Sequence, residues 1–449
     1  METPDLAVNP PVTKKVWYRP RLPRATISYA IFISGAVCVA LIALAFAALA
    51  ESMLALNLRL THAYRWSAFL LLPFGFAGLR WLTIRHAMQA RGSGIPQVIA
   101  AMTLASGSPA QNLLVSLRQA AWKIVLTAGA LLAGASSGRE GPSVQVGAAV
   151  MAAWGQWWHV KLGLRSGFAS QALIAAGAAG GLAAAFNTPL AGIVFAIEEL
   201  GRDSSVRWDR IVLSGVLTAG FVSLALVGNS TYFHVNEPML LLRESWKAVI
   251  VCAIINGVLG GLFSRLLLAG VPGVLPRRLR STVARYPIQI AFACGVVVAL
   301  LGWFTAGATY GTGYTQAAAL LNGHPLNTLW FGAAKWLATI VSYFAGIPGG
   351  IFTPSLAIGA GIGENIAHVI PGIAEPRTLA LLSMAAFLAA ATQAPITASV
   401  IVMEMTHGQD TTLYLLAVTL IASFVARTVC RRPFYHSVAR RFRREALAK

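Results

Sequence analysis

The stretch Ser136-Ser137-Gly138-Arg139-Glu140-Gly141-Pro142-Ser143 sets a carboxylate and a guanidinium inside long apolar sequence. Charge at that depth is expensive and marks a functional site. Gly138 and Gly141 permit unusual backbone angles, and Pro142 suits the first turn of a helix. A helix starting near Pro142 leaves its first N–H groups unpaired and aimed back into the loop, with the positive end of its dipole. Such an end binds anions. Two further stretches have the same design: Gly92-Ser93-Gly94-Ile95-Pro96 and Gly349-Gly350-Ile351-Phe352-Thr353-Pro354. If the three converge, they form a dehydrated anion cage with no full positive charge nearby, from which an ion can also leave. The competing reading is that glycine and proline only kink the helices. The expected chemistry is reversible anion binding beside one titratable carboxylate.

The elements that must position these loops are membrane helices. The chain has 449 residues, 57% apolar and 11% charged, against about 25% charged in soluble domains. Residues 166–197, 286–334, 336–363 and 378–403 contain no Asp, Glu, Lys or Arg. Each run is as long as the roughly 20 residues needed to span the hydrocarbon. A multi-pass helical membrane protein is the only class that fits. Spans are expected at Ser28–Ala50, Trp66–Ile84, Trp122–Ala135, Ala172–Ala185, Ile211–Val227, Val249–Ala269, Ile288–Trp303, Leu329–Ala345, Ile351–Ile370, Thr378–Met403 and Leu413–Val429. The net charge is +20, and basic residues cluster in the lead (Lys14, Lys15, Arg19, Arg21, Arg24), in Arg277–Arg285 and in the tail from Arg427 to Lys449. Basic residues flanking spans predict cytoplasmic termini and argue against a nucleic-acid groove. Cys38, Cys252, Cys294 and Cys430 are scattered, as buried small hydrophobes would be, with no metal or disulfide spacing. The organisation expected is a cytoplasmic lead (1–27), a transmembrane transport domain (28–430) and a cytoplasmic tail (431–449).

The transport domain repeats itself. Pro142-Ser143-Val144-Gln145-Val146-Gly147-Ala148 matches Pro354-Ser355-Leu356-Ala357-Ile358-Gly359-Ala360 at an offset of 212 (354 − 142). Asn187-Thr188-Pro189-Leu190 and Glu198 match Gln393-Ala394-Pro395-Ile396 and Glu404 at an offset of 206 (404 − 198). Halves of about 28–245 and 246–430, each with a helix broken at proline, predict a transporter with its site at their interface.

The four segments Gly92–Pro96, Gly138–Pro142, Gly349–Pro354 and Tyr435, with Asn187–Glu199, resemble the signature segments of the CLC chloride channels and chloride/proton antiporters. The resemblance runs from about residue 28 to about 440, in family order. It implies an all-α polytopic membrane protein of two inverted structural repeats with tilted and broken helices, assembled as a homodimer in the lipid bilayer. Ser93 and Tyr435 resemble the hydroxyl ligands of a central chloride, and Ile351 and Phe352 the residues whose backbone N–H groups complete it. Gly92, Gly94, Ile95, Pro96, Gly138, Arg139, Gly141, Pro142, Gly349, Gly350, Thr353 and Pro354 resemble the selectivity-filter loops. Glu140 is similar to the external gate, a carboxylate that competes with chloride, and Glu199 to the internal proton glutamate; Glu198 and Glu404 are weaker candidates. Bland roles exist: Ser93 as a helix cap, Tyr435 as an interfacial anchor, Glu140 paired with Arg139.

The resemblance implies chloride/proton exchange without enzyme chemistry or cofactor, in the cell membrane of a prokaryote, since the nucleotide-binding tail of many eukaryotic members has no counterpart. Ser93 favours chloride over nitrate or fluoride among family members. Two other classes compete: a passive chloride channel on the same scaffold, and an intramembrane serine protease, for which no His lies in an apolar span with a matching serine motif.

Overall fold

The computed structural model describes residues 24–448 apart from 163–169, 203–209, 229–230, 234–245, 277, 279, 327 and 407–408. The expected lead therefore lies outside the described residues as far as residue 23. Among the described residues the fold is all-helical, with two isolated bridges, Gly92 with Pro348 and Gly138 with Gly350. The first half comprises α1 (Arg24–Ala63), α2 (Ala68–His86), α3 (Ile95–Met102), α4 (Pro109–Leu114), α5 (Leu117–Leu132), α6 (Glu140–Leu162), α7 (Ser170–Phe186), α8 (Pro189–Phe195) and α9 (Arg210–Val227). The second comprises α10 (Trp246–Val274), α11 (Arg280–Arg285), α12 (Pro287–Phe304), α13 (Tyr314–Leu321), α14 (Phe331–Phe344), α15 (Phe352–Val369), α16 (Pro376–Thr392), α17 (Pro395–Thr406) and α18 (Thr412–Val429). Helix α19 (Phe434–Leu447) follows.

Two expected spans change. The first helix does not stop at Ala50: α1 has 40 residues, about 60 Å at 1.5 Å per residue, twice the hydrocarbon thickness of roughly 30 Å. Glu51 does not end it, because its side chain is largely exposed and ion-paired. The expected span Thr378–Met403 is two helices, α16 and α17. Between them Gln393 is left-handed (φ 60°), as is Asn187 (φ 58°) between α7 and α8. Both residues stand two before a proline that opens the next helix, and proline cannot continue the N–H ladder. Their separation is the repeat offset, 206 (393 − 187).

Two long helices rich in small residues are buried almost throughout. Every residue from Thr378 to Thr392 of α16 and from Leu173 to Phe186 of α7 is buried. A helix apolar all round belongs in the centre of a bundle, and in lipid its association depends on close packing of small residues. α7 packs on α6, α1 and α9, and α16 packs on α15, α10 and α18, equivalent partners in each half.

Reciprocal contacts show the internal two-fold. Gly138 N–H donates to Gly350 O at 2.7 Å and Gly350 N–H donates to Gly138 O at 2.7 Å. The N–H groups of Ile396 and Thr397 donate to Glu198 at 3.2 and 2.6 Å. Those of Leu190 and Ala191 donate to Glu404 at 3.1 and 2.6 Å. Contacts of residue i with j and of j's equivalent with i's are what a two-fold axis produces. Each glutamate thus neutralises the start of the equivalent broken helix in the other half, α17 or α8. We expect Glu404→Ala to lower unfolding stability in detergent by about 1–2 kcal/mol, the cost of losing an N-terminal cap; an unchanged thermal midpoint would count against this role.

Candidate functional site

The three glycine-rich loops do converge. The Gly138 and Gly350 loops exchange the two backbone hydrogen bonds above, and Gly92 N–H donates to Ile347 O at 3.2 Å while Gly349 N–H donates to Gly92 O at 3.1 Å. Gly94 is left-handed (φ 109°), and a methyl group there would lie 2.6 Å from Gly141 O. Gly141 has no room for a Cβ because Ser93 packs against it. Gly94 thus requires glycine for both its backbone angle and its crowding, Gly141 for crowding alone.

Helices α3, α6 and α15 start at these loops, with Pro96, Pro142 and Pro354 in their first turns. Helix α6 begins at Glu140, two residues before the expected Pro142, so the carboxylate belongs to the helix's own first turn. Ile351 caps α15 and Phe352 is its first residue, so their N–H groups have no acceptor within the helix. Helix α19 packs against α3 and delivers Tyr435 to the same place. The stretch 431–449, expected as a tail, thus carries a packed helix whose buried residues are Phe434, Tyr435, His436, Val438, Ala439, Phe442 and Ala446. The Tyr435 ring stacks on Phe352 at 5.9 Å (17°), and Phe186 and Phe195 lie 6.4 and 6.3 Å from Phe352. Amide and hydroxyl donors therefore sit in an aromatic box.

Five polar groups meet here and make no hydrogen bond of normal geometry among the described residues: the Ser93, Thr353 and Tyr435 hydroxyls and both Glu140 carboxylate oxygens, all buried. Tyr435 has Ser93, Glu140 and Glu199 as its electrostatic neighbours, and Glu140 faces Thr353. Buried polar groups are normally satisfied, so a cluster of orphans is the imprint of a missing partner. Hydroxyl donors and helix starts select an anion as that partner.

Arg139 does not pair with Glu140. Its guanidinium donates to Ala47 O at 2.6 Å and bridges Glu51 at 2.7 Å. Both residues line a cavity of about 640 Å³ with Phe186, Tyr232, Tyr310 and Tyr314. The gate candidate thus makes no ion pair with Arg139, which acts on it only through its field, while α1 is tied to its loop.

Contrary to expectation, a basic side chain does lie directly behind the cage. Lys123, fully buried in α5, donates to Ala90 O at 2.8 Å and Gly92 O at 2.7 Å. Its equivalent Lys335 (335 − 123 = 212) donates to Thr309 O and Gly311 O at 2.9 and 2.7 Å. Carbonyl ligands turn the lysines into loop braces, because their donors are spent on backbone rather than on an ion. The signal was present in the sequence: Lys335 alone separates two charge-free runs, at the repeat offset from Lys123. Gln97 adds a second brace, donating to Gln89 O and Arg91 O at 3.0 and 2.7 Å.

Of the remaining acids, Glu198 and Glu404 are committed to the helix starts already described. Glu199 lies in a π-helical turn, Ala196–Leu200. It points to α19, where its Oε1 is 3.4 Å from His436 Nε2. The sequence offered no sign of that partner.

The comparisons agree with this geometry. The family described as "Voltage gated chloride channel" matches residues 75–427. The "H(+)/Cl(-) exchange transporter ClcA" of Cronobacter sakazakii (strain ATCC BAA-894) is 32% identical over 392 residues, covering 83% of this chain and 80% of that protein. The crystal structure of a slow cyanobacterial Cl-/H+ antiporter is 26% identical and superposes with a TM-score of 0.78 over 95% of this chain and 99% of its own. A CLC-type fluoride/proton antiporter, 21% identical with a TM-score of 0.72 over 91% of this chain and 98% of its own, shares the fold. A polytopic helical chain with three helix starts around one buried donor cluster, matched by this family over most of its length, belongs to the voltage-gated chloride channel family, the CLC family.

Proposed function

We propose that this protein exchanges chloride for protons across the membrane. The observation that carries the reading is the cluster of orphaned buried groups, in which donors for an anion and a carboxylate share one place. Ser93 and Tyr435 donate hydroxyl hydrogens to the central chloride, and the N–H groups of Ile351 and Phe352 complete its shell. The filter backbone of Gly92–Pro96, Gly138–Pro142 and Gly349–Pro354 supplies helix-start dipoles instead of a full charge, so the ion is held and released. Ionised Glu140 takes an anion position at the start of α6; protonated, it leaves that position to chloride. Glu199 holds the proton on its inner side. No cofactor and no covalent chemistry enter this cycle.

The exchanger named ClcA and the slow antiporter support coupling over passive conduction, as does a carboxylate at Glu199, where the family resemblance expects channels to lack one. The proposed setting is a bacterial cell membrane with both termini cytoplasmic, where basic flanks favour the inner side, and a homodimer as the resemblance implies. Purified protein in liposomes with a chloride gradient is expected to drive protons uphill; chloride flux with no proton movement would replace this reading with a channel. In the same preparation Tyr435→Phe removes one donor and is expected to weaken chloride binding by about 1.4 kcal/mol, tenfold. Titration calorimetry giving wild-type affinity would remove Tyr435 from the shell.

A further inference from the structure

We propose that His436 is a proton-carrying partner of Glu199, so that the inner proton site is a histidine–glutamate pair rather than a lone carboxylate; this rests on the reading of Glu199 above. His436 Nε2 lies 3.4 Å from Glu199 Oε1, and the two side chains are 3% and 2% exposed. The π turn at Ala196–Leu200 makes the geometry possible. Its wider winding sends Glu198 to the start of α17 and the adjacent Glu199 to the first turn of α19. A π turn is rare and concentrated at functional sites. No described residue donates a hydrogen bond of normal geometry to either Glu199 oxygen. A buried carboxylate so placed is costly unless a cation or a proton neutralises it.

Imidazole is the side chain suited to that task, because its ordinary ionisation falls between pH 5 and 8. A proton from the aqueous side binds His436 and forms an imidazolium–carboxylate pair. It then passes from Nε2–H to Oε1 of Glu199, leaving neutral imidazole and a neutral carboxylic acid. The pair is neutral in both one-proton forms, so the transfer separates no charge. The 3.4 Å gap must close to ordinary hydrogen-bond length during the step, as proton-transfer contacts do.

Other charged groups near the pair are otherwise engaged or face away. Tyr435 is its neighbour on the anion side, with Glu140 beyond it. Glu198 and, on α17, Glu404 accept from helix-start amides. Helices α3, α4, α7 and α8 contribute no titratable side chain. On α10 and α16, Arg265 is exposed and Arg377 bridges Glu375. On α19, Arg440, Arg441, Arg443 and Arg444 are exposed, and Glu445 pairs with Arg91.

The test compares wild type, His436→Gln, His436→Asn and Glu199→Gln in chloride-loaded liposomes across internal pH 4.5 to 8. In both His436 variants the proton-to-chloride ratio is expected to fall by at least about tenfold near neutral pH. The dependence of proton flux on internal pH should also lose its imidazole-range step. A wild-type ratio and pH profile in the His436 variants, with coupling lost in Glu199→Gln, overturns the pair and leaves Glu199 in place. Coupling retained in Glu199→Gln removes the Glu199 role and the pair together. If neither His436 variant assembles, ¹⁵N-histidine spectra of wild type and Glu199→Gln decide: a His436 titration that moves with the carboxylate's removal supports the pair, and one that does not overturns it.

Discussion

Replacing Glu140 with glutamine is expected to stop proton movement while chloride continues to cross. The carboxylate is fully buried at the first residue of α6, with no hydrogen-bond donor of normal geometry to either oxygen among the described residues, and Arg139 is turned away to Glu51. Its negative charge is therefore stabilised by the field of neighbouring Arg139, without an ion pair, and by the helix starts that also serve the anion. Charge and anion cannot both occupy that field, because two like charges at contact distance repel strongly where water is excluded. Glutamine has the same shape but can neither ionise nor carry a proton. It mimics the protonated side chain permanently and leaves the anion position open. Proton flux in liposomes should fall at least about 100-fold, the range expected when a positioned acid–base group is lost. Uphill proton uptake persisting in Glu140→Gln would falsify the gate.

The second large effect is expected at Lys123→Met. Methionine keeps most of the volume but removes the donor to Ala90 O and Gly92 O. Gly92 O retains the Gly349 N–H at 3.1 Å, so the loss centres on the Ala90 carbonyl. A buried carbonyl without a donor costs about 1–3 kcal/mol. Because Gly92 precedes Ser93 in the chain, the loop's relaxation also misplaces the proposed chloride ligand Ser93. Chloride affinity is expected to drop by roughly tenfold, about 1.4 kcal/mol. Lys335→Met is the internal control. It removes the equivalent brace from Thr309 and Gly311, neither of which belongs to the three glycine-rich loops, and should lower thermal stability with a smaller effect on affinity. Equal affinity losses in both variants would show that the effect comes from general destabilisation rather than from the Gly92 loop.

What the sequence disclosed follows local rules. Charge-free runs fixed the membrane class, since the cost of charge in hydrocarbon is read from composition alone. Gly and Pro at three loops marked the helix starts, and the offsets of 212 and 206 marked the two halves. Boundaries were less legible. α1 runs to Ala63, because helix propensity and an exposed ion pair carry it past Glu51, which hydropathy reads as an end. The break at Gln393 was visible as a motif but hidden within a continuous apolar run.

By itself the sequence determined that this chain spans a membrane in two related halves, and that a carboxylate and three glycine- and proline-marked helix starts lie at a few loops. These are consequences of residue type and short spacing. Only the tertiary structure decided the partners. Arg139 goes to Glu51 of α1, 88 positions away (139 − 51), instead of adjacent Glu140. Lys123 braces Gly92 from behind, Glu198 and Glu404 exchange helix starts between halves, and Glu199 meets His436 of the last helix. The physical reason is that a buried polar group takes the nearest satisfying partner in space, and which helices come into reach depends on how all their small-residue faces pack at once.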